Sequence, residues 1–137
     1  MSKIYLIGSL KHGRVRDVAF ELRAAGHEVF DDWHACGPDA DADWQNYESE
    51  RGRAYKEALQ APFAQHAFNF DLTHIKAADI GVLVLPAGKS GHLELGYMIG
   101  RGQRGYILLD GEPSAWDLMY LIAHGIFYNI AELLEVL

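Results

Sequence analysis

The chain has 137 residues, half of them apolar, with 12 Lys and Arg against 19 Asp and Glu and a formal net charge of −7. That length supports one domain with one core, and the acidic balance argues against a general DNA or RNA binder while leaving a free nucleotide open as a ligand. The single cysteine, Cys36, permits no internal disulfide, and no Cys–His cluster suggests zinc.

The opening stretch MSKIYLIGSL is too short in its apolar part for a signal peptide or membrane span. A soluble protein of the reducing cytoplasm is therefore expected, with no membrane partner. Residues 3–8 (KIYLIG) read as a first strand, apolar on both faces and so central in a sheet. Gly8 and Ser9 end it, and Lys11, His12, Gly13, Arg14 and Arg16 surround the start of a helix running to about Ala25. A glycine turn, a hydroxyl, basic side chains and a helix start can together hold an anion. Gly8, Ser9 and Lys11 are candidate binding residues on that ground, although a solvated basic loop has the same composition. A dinucleotide fingerprint is excluded, because G-x-G-x-x-G is absent.

Gly26 closes the first helix, and residues 27–30 (HEVF) form a second strand. Asp31, Asp32 and Trp33 then lie at its carboxyl end, the side on which parallel sheets bind ligands. Asp32 and Trp33 are binding candidates; Trp33 could stack on a base or sugar, or pack under a loop. Residues 37–43 (GPDADAD) read as an acidic loop that lacks the glycine and distal Glu of a calcium-binding EF-hand. Residues 44–59 predict a polar helix with a weak point at Gly52, and Pro62 breaks the pattern. Residues 68–78 predict a short helix feeding the next strand. Asp71 at its start falls on the ligand side of the sheet, whereas Asp79 falls on the opposite side and reads as structural. A helix cap is the ordinary use of an Asp placed like Asp71.

Residues 80–85 are an unbroken apolar run, a buried parallel strand. Pro86, Ala87 and Gly88 stop it, and Ser90 predicts an N-cap for a helix through Gly100. This strand–turn–helix places Gly88 and Ser90 at the ligand-binding edge. Glu94 then falls in the first turn, where the macrodipole would hold it ionised, as a carboxylate nucleophile must be. Helix stabilisation alone would also account for a Glu there. Leu95, Met98 and Ile99 make an apolar stripe, and Gly96 and Gly100 predict a close approach to the sheet or another helix. Residues 105–110 predict a further strand, 115–124 a helix, 126–129 a short strand or turn, and 130–137 a closing helix. Trp116, Met119 and Tyr120 exceed what a small core usually absorbs and suggest an interface between copies, although core packing is the more common use of such a stripe. The alternation predicts a single-domain α/β fold, flavodoxin- or Rossmann-like and doubly wound. Its mostly parallel sheet has about five strands, with helices on both faces.

Three stretches, KIYLIGSL, FDLTHIKAADIGVLVL and SGHLELGYMIGRG, in this order and spacing, resemble the nucleoside 2-deoxyribosyltransferase superfamily, which includes nucleotide N-glycoside hydrolases. The resemblance implies that Glu94 is the nucleophile, that Asp71 assists, and that Tyr5 and Ser9 border the sugar or phosphate. It implies a small nucleoside or nucleotide substrate, no cofactor or metal, and a homodimer or larger assembly in which a neighbour can complete the site. The turn Gly88-Lys89-Ser90-Gly91-His92 stands where the transferases carry Asp and Gly-Thr, and Lys11 stands where the hydrolases prefer Arg. Transfer and hydrolysis both stay open, as does a non-catalytic nucleotide-binding module of the same fold. The chemistry implied is the two-carboxylate retaining scheme, with the carboxyls about 5 Å apart.

Overall fold

Five strands lie side by side, and all four pairings are parallel. They are β1 (Lys3–Ile7), β2 (Glu28–Phe30), β3 (Ile80–Val84), β4 (Arg104–Leu108) and β5 (Gly125–Phe127), in the spatial order β2-β1-β3-β4-β5. The computed structural model describes residues 1–137. The helices are α1 (Arg14–Ala24), α2 (Ala40–Glu50), α3 (Tyr55–Gln60), α4 (Pro62–Ala77), α5 (Lys89–Gly100) and α6 (Ile130–Val136).

The strand residues divide with a period of two. Ile4 and Leu6 of β1, Val82 and Val84 of β3, and Tyr106 and Leu108 of β4 pack with α1 and with Leu133 of α6. Tyr5, Ile7, Leu83 and Ile107 point the other way, against Ile75 of α4 and Leu95 and Met98 of α5. The sheet is thus covered on both faces, as strands apolar on both sides require. Strand order reverses between β1 and β3, the switch point at whose carboxyl side open α/β sheets bind ligands. At the other end of the strands, the Asp79 carboxylate accepts the Lys3 backbone N–H at 3.1 Å, in the structural role expected of it.

The helices depart from expectation in three places. Residues 44–59 are two helices, parted at Gly52, whose φ of +70° belongs to the left-handed region. The first of them begins at Ala40, inside the expected loop. Glu48, buried on α2, is held across this break by both oxygens to Arg53 Nη1, at 3.0 and 3.1 Å. The helix expected over 68–78 begins earlier, at Pro62: α3 ends at Gln60, ahead of the proline as expected, and Pro62 then stands in the first turn of α4, where its missing N–H costs nothing. Residues 115–124 form a 3₁₀ turn over Leu118–Ile122, flanked by irregular chain, instead of an α-helix. Their apolar residues do not repeat on one buried face; Leu118, Met119, Leu121 and Ile122 are all exposed.

Helix α5 sits close to the sheet because two strand glycines are paired beneath it. Gly81 and Gly105 are register partners. A Cβ on Gly81 would lie 2.7 Å from Met98 Sδ, and one on Gly105 would lie 2.5 Å from Ile99 Cγ1. The expected donors of close approach, Gly96 and Gly100, are instead on the outer face of α5, with open space where a Cβ would be.

Candidate active site

Gly88, in extended backbone, is the N-cap of α5, and Ser90 is an exposed residue of its first turn rather than the cap. The helix therefore starts earlier than expected, and Glu94 is its sixth residue, in the second turn. No acidic residue stands in the first turn. Dipole stabilisation fades beyond that turn, so it does not hold Glu94 ionised. Burial dominates, and with the nearby Asp71 charge it raises the Glu94 carboxyl to about 7. At neutral pH the group is divided between its acid and its carboxylate.

Asp71 comes from the middle of α4, not from a helix start, because α4 begins at Pro62. It lies four residues before Ile75, hence on the same helical face, and Ile75 packs into the sheet. The far end of α4 is pinned by Gln103, whose amide donates to Ile75 O at 2.8 Å and Ala78 O at 2.7 Å. From the middle of this longer helix the Asp71 charge raises both Glu94 and Tyr5, and the Glu94 charge raises Tyr5. The Asp71 carboxyl is itself raised by burial, with His74 opposing the rise.

Tyr5 projects from β1 onto the α4–α5 face and is 1% exposed. Burial, then Glu94 and Asp71, push its phenol far above the ordinary range, so it keeps its proton and remains a hydrogen-bond donor. Its ring stacks on Phe30 of β2 (centroids 5.4 Å apart, planes at 19°), and Phe30 stacks on His74 of α4 (3.9 Å, 11°). Phe70 closes the group edge-on to His74 at 4.8 Å. Phe30, Phe70 and His74 were not singled out from sequence. The available signal was the helical spacing, which makes His74 a neighbour of Asp71 three residues back and of Phe70 four residues back.

The first loop is organised differently. Arg14 is not free to meet an anion: Nη1 donates to Leu85 O and Nη2 to Leu109 O at 2.8 Å, with Asp110 at 3.8 Å from Nε. It ties the start of α1 to the segments leaving β3 and β4. Ser9 Oγ accepts the Lys11 backbone N–H at 3.1 Å, while the Lys11 side chain is exposed. Trp33 Nε1 donates to Leu6 O at 2.8 Å, and its ring lies over Gly8, where a Cβ would be 3.8 Å away. That tether serves packing at the carboxyl end of β1. Asp32 lines an open cleft of about 550 Å³ with Leu10, Arg16 and His34, and none of Tyr5, Asp71 and Glu94 lines that cleft. The structure thus brings Tyr5, Asp71 and Glu94 together and leaves Asp32 apart from them. On the far side of α5, His92 bridges Gly88 O (Nδ1, 2.7 Å) and the Tyr120 hydroxyl (Nε2, 2.8 Å), which anchors the turn ahead of Glu94.

No protein-family model matches this chain, and no curated protein matches it in sequence. Solved structures share its fold. The 2-deoxyribosyltransferase of Bacillus psychrosaccharolyticus is similar with a TM-score of 0.63 and 21% identity, over 96% of this chain and 90% of that one. The CMP N-glycosidase of Clostridium botulinum is similar with a TM-score of 0.58 and 17% identity, over 98% and 96%. Both are proteins of the nucleoside 2-deoxyribosyltransferase-like superfamily that the three sequence stretches resemble. At such identities the likeness establishes a common fold.

Proposed function

We propose that this chain cleaves the N-glycosidic bond of a nucleoside or nucleotide and passes the glycosyl group to a second base or to water. The observation that carries the reading is the meeting of Asp71, Glu94 and a protonated, buried Tyr5 at one site on the α4–α5 face of the sheet. Two mutually coupled carboxyls in a partly desolvated site are what a retaining glycosyl transfer uses. In the scheme, a Glu94 carboxylate oxygen forms a bond to the anomeric carbon as the bond to the base nitrogen breaks. The electron pair leaves with the base, which takes a proton from Asp71 or solvent. A second base, or water losing its proton to Asp71, then displaces Glu94 and regenerates the carboxylate. Tyr5 donates its hydroxyl hydrogen to the sugar or to the Glu94 carboxylate. The scheme uses no metal or cofactor.

A nucleoside is the lead substrate, since Arg14 is committed to backbone carbonyls and only Lys11, His12 and Arg16 remain near Ser9 to read a 5′-phosphate. The chain is further proposed to act as a homodimer or larger assembly. Trp116 (84% exposed), Leu121 (81%) and Leu118 (75%) form an apolar patch, and Leu93, Gly96, Tyr97 and Gly100 line the exposed face of α5. The deciding experiment incubates the protein with a panel of nucleosides and their monophosphates and follows free base by chromatography, with and without an acceptor base. Base released only when an acceptor is present means transfer; release without one means hydrolysis. Binding without release in any combination would replace the enzyme reading with that of a binding module.

A further inference from the structure

We propose that His74 is a positioning residue of this site: its stack on Phe30 and its seat one turn along α4 hold the imidazole, and the positive charge it can carry, beside the Asp71 carboxyl. The inference rests on the functional reading above for its consequence in catalysis, and on the ring stack and the helical spacing for its existence.

His74 follows Asp71 by three residues, the spacing that makes side chains neighbours on a helix. Its ring has little freedom. One face lies nearly parallel to Phe30 at 3.9 Å, and Phe70 meets it edge-on at 4.8 Å. Phe30 also stacks on Tyr5 at 5.4 Å, so Tyr5, Phe30 and His74 are joined by consecutive stacks reaching from β1 through β2 to α4. Such a stack fixes where α4 stands relative to the strands, and with it where Asp71 stands relative to Glu94. A phenylalanine would fill the same space. What imidazole adds is a cationic form close to a carboxyl, and it acts against the burial that raises Asp71. The titratable groups of the cluster are Asp71 on the same helix, Glu94 from α5 and Tyr5 from β1; Phe30 and Phe70 bring only rings. Among them His74 alone can supply positive charge. Its effect is to favour the ionised form of Asp71, the state that can accept a proton from water.

The test is the pair of variants His74→Phe and His74→Gln, read in two ways. The first does not use turnover: the carbon-13 resonance of the Asp71 carboxyl, assigned with Asp71→Asn, is followed against pH in the wild type and in His74→Phe, whose ring can keep the stack. Asp71 is expected to titrate at higher pH in the variant while its circular dichroism stays native. An unmoved titration overturns the proposal whether or not any substrate is ever found. If His74→Phe does not fold, the same criterion is applied to His74→Gln. The second reading is the pH profile of base release. At acidic pH, where a less ionised Asp71 can no longer take the proton of water, kcat is expected to fall roughly tenfold below the wild type with KM little changed, and to match the wild type once both carboxyls are ionised. That is less than the roughly 100- to 10,000-fold that a proton-transferring group contributes directly, because His74 acts only through Asp71. A parallel loss of kcat at all pH values would mean that the histidine only packs, and would overturn it. If the wild type releases no base from any substrate, the functional reading fails while the titration still decides the role of His74.

Discussion

Glu94 carries two opposed demands. As a nucleophile it must be ionised, and where it sits ionisation is disfavoured. Relative to its ordinary value of 4.5, the carboxyl rises to about 7 in the folded chain. Between those values the folded state binds more protons than the unfolded one, so Glu94's contribution makes stability fall as pH rises across that window. Glu94→Gln removes the cost, and is expected to stabilise the protein at pH 8 by up to about 3 kcal/mol while changing little at pH 4. Thermal melts of both proteins at the two pH values check this. The same substitution should abolish base release, and wild-type rates should climb through about pH 7 as the carboxylate forms. Substantial turnover in Glu94→Gln, with contaminating activity excluded, sinks the nucleophile assignment. Lys11 is a second residue whose role a single substitution resolves. If it reads a 5′-phosphate, Lys11→Ala loses a charge-assisted contact typically worth about 1.5–3 kcal/mol, at least roughly a tenfold fall in catalytic efficiency on a monophosphate. The matching nucleoside should be turned over almost unchanged. Equal losses on the two substrates would mean that Lys11 does not read a phosphate.

At the level of elements, the site depends on how closely α5 lies on the sheet. Gly105 has no room for a side chain: its Cβ would meet Ile99 at 2.5 Å and Leu95 at 2.9 Å, both on α5. Gly105→Ala is therefore expected to destabilise by about 1–3 kcal/mol, the usual cost of overpacking, and to lower kcat by displacing Glu94 with its helix. Gly96→Ala is the contrasting case. Its Cβ would meet nothing within 4 Å, and alanine in a helix interior should stabilise by about 0.5–1 kcal/mol. Chemical denaturation of the two variants separates the roles, and equal effects would remove the argument for close approach. Arg14 works at the same scale. By bonding the carbonyls of Leu85 and Leu109, it joins the chain leaving β3 to that leaving β4, so a residue first legible as an anion ligand is a tie between loops.

For the whole molecule, apolar surface is left over on this covered sheet. No helix is long and apolar enough to cross a membrane. The exposed Trp116, Leu118 and Leu121, followed by the edge strand β5 with Ile126 41% exposed, leave an apolar rim on one side of the fold. Light scattering at micromolar concentration is expected to give a dimer or larger species, and Trp116→Glu to shift it toward monomer. A wild type that is monomeric at that concentration would count against both the interface and a site shared between copies.

Much of the scaffold was readable from local pattern. Short β-branched runs such as IYLI and IGVLV read as strands buried on both faces, and their alternation with helices predicts a parallel, doubly wound sheet. The resemblance carried by three short stretches pointed to Tyr5, Asp71 and Glu94, which stand on three separate elements, β1, α4 and α5. Tertiary structure alone decided the rest. Where a helix begins depends on packing as much as on caps, so Pro62 opened α4 and Glu94 moved to a second turn. Burial, which no local pattern reports, raised the Glu94 carboxyl to about 7 where a helix start alone would have kept it ionised. The stack of Tyr5, Phe30 and His74 joins residues from β1, β2 and α4 that meet only when the sheet and its covering helix close together.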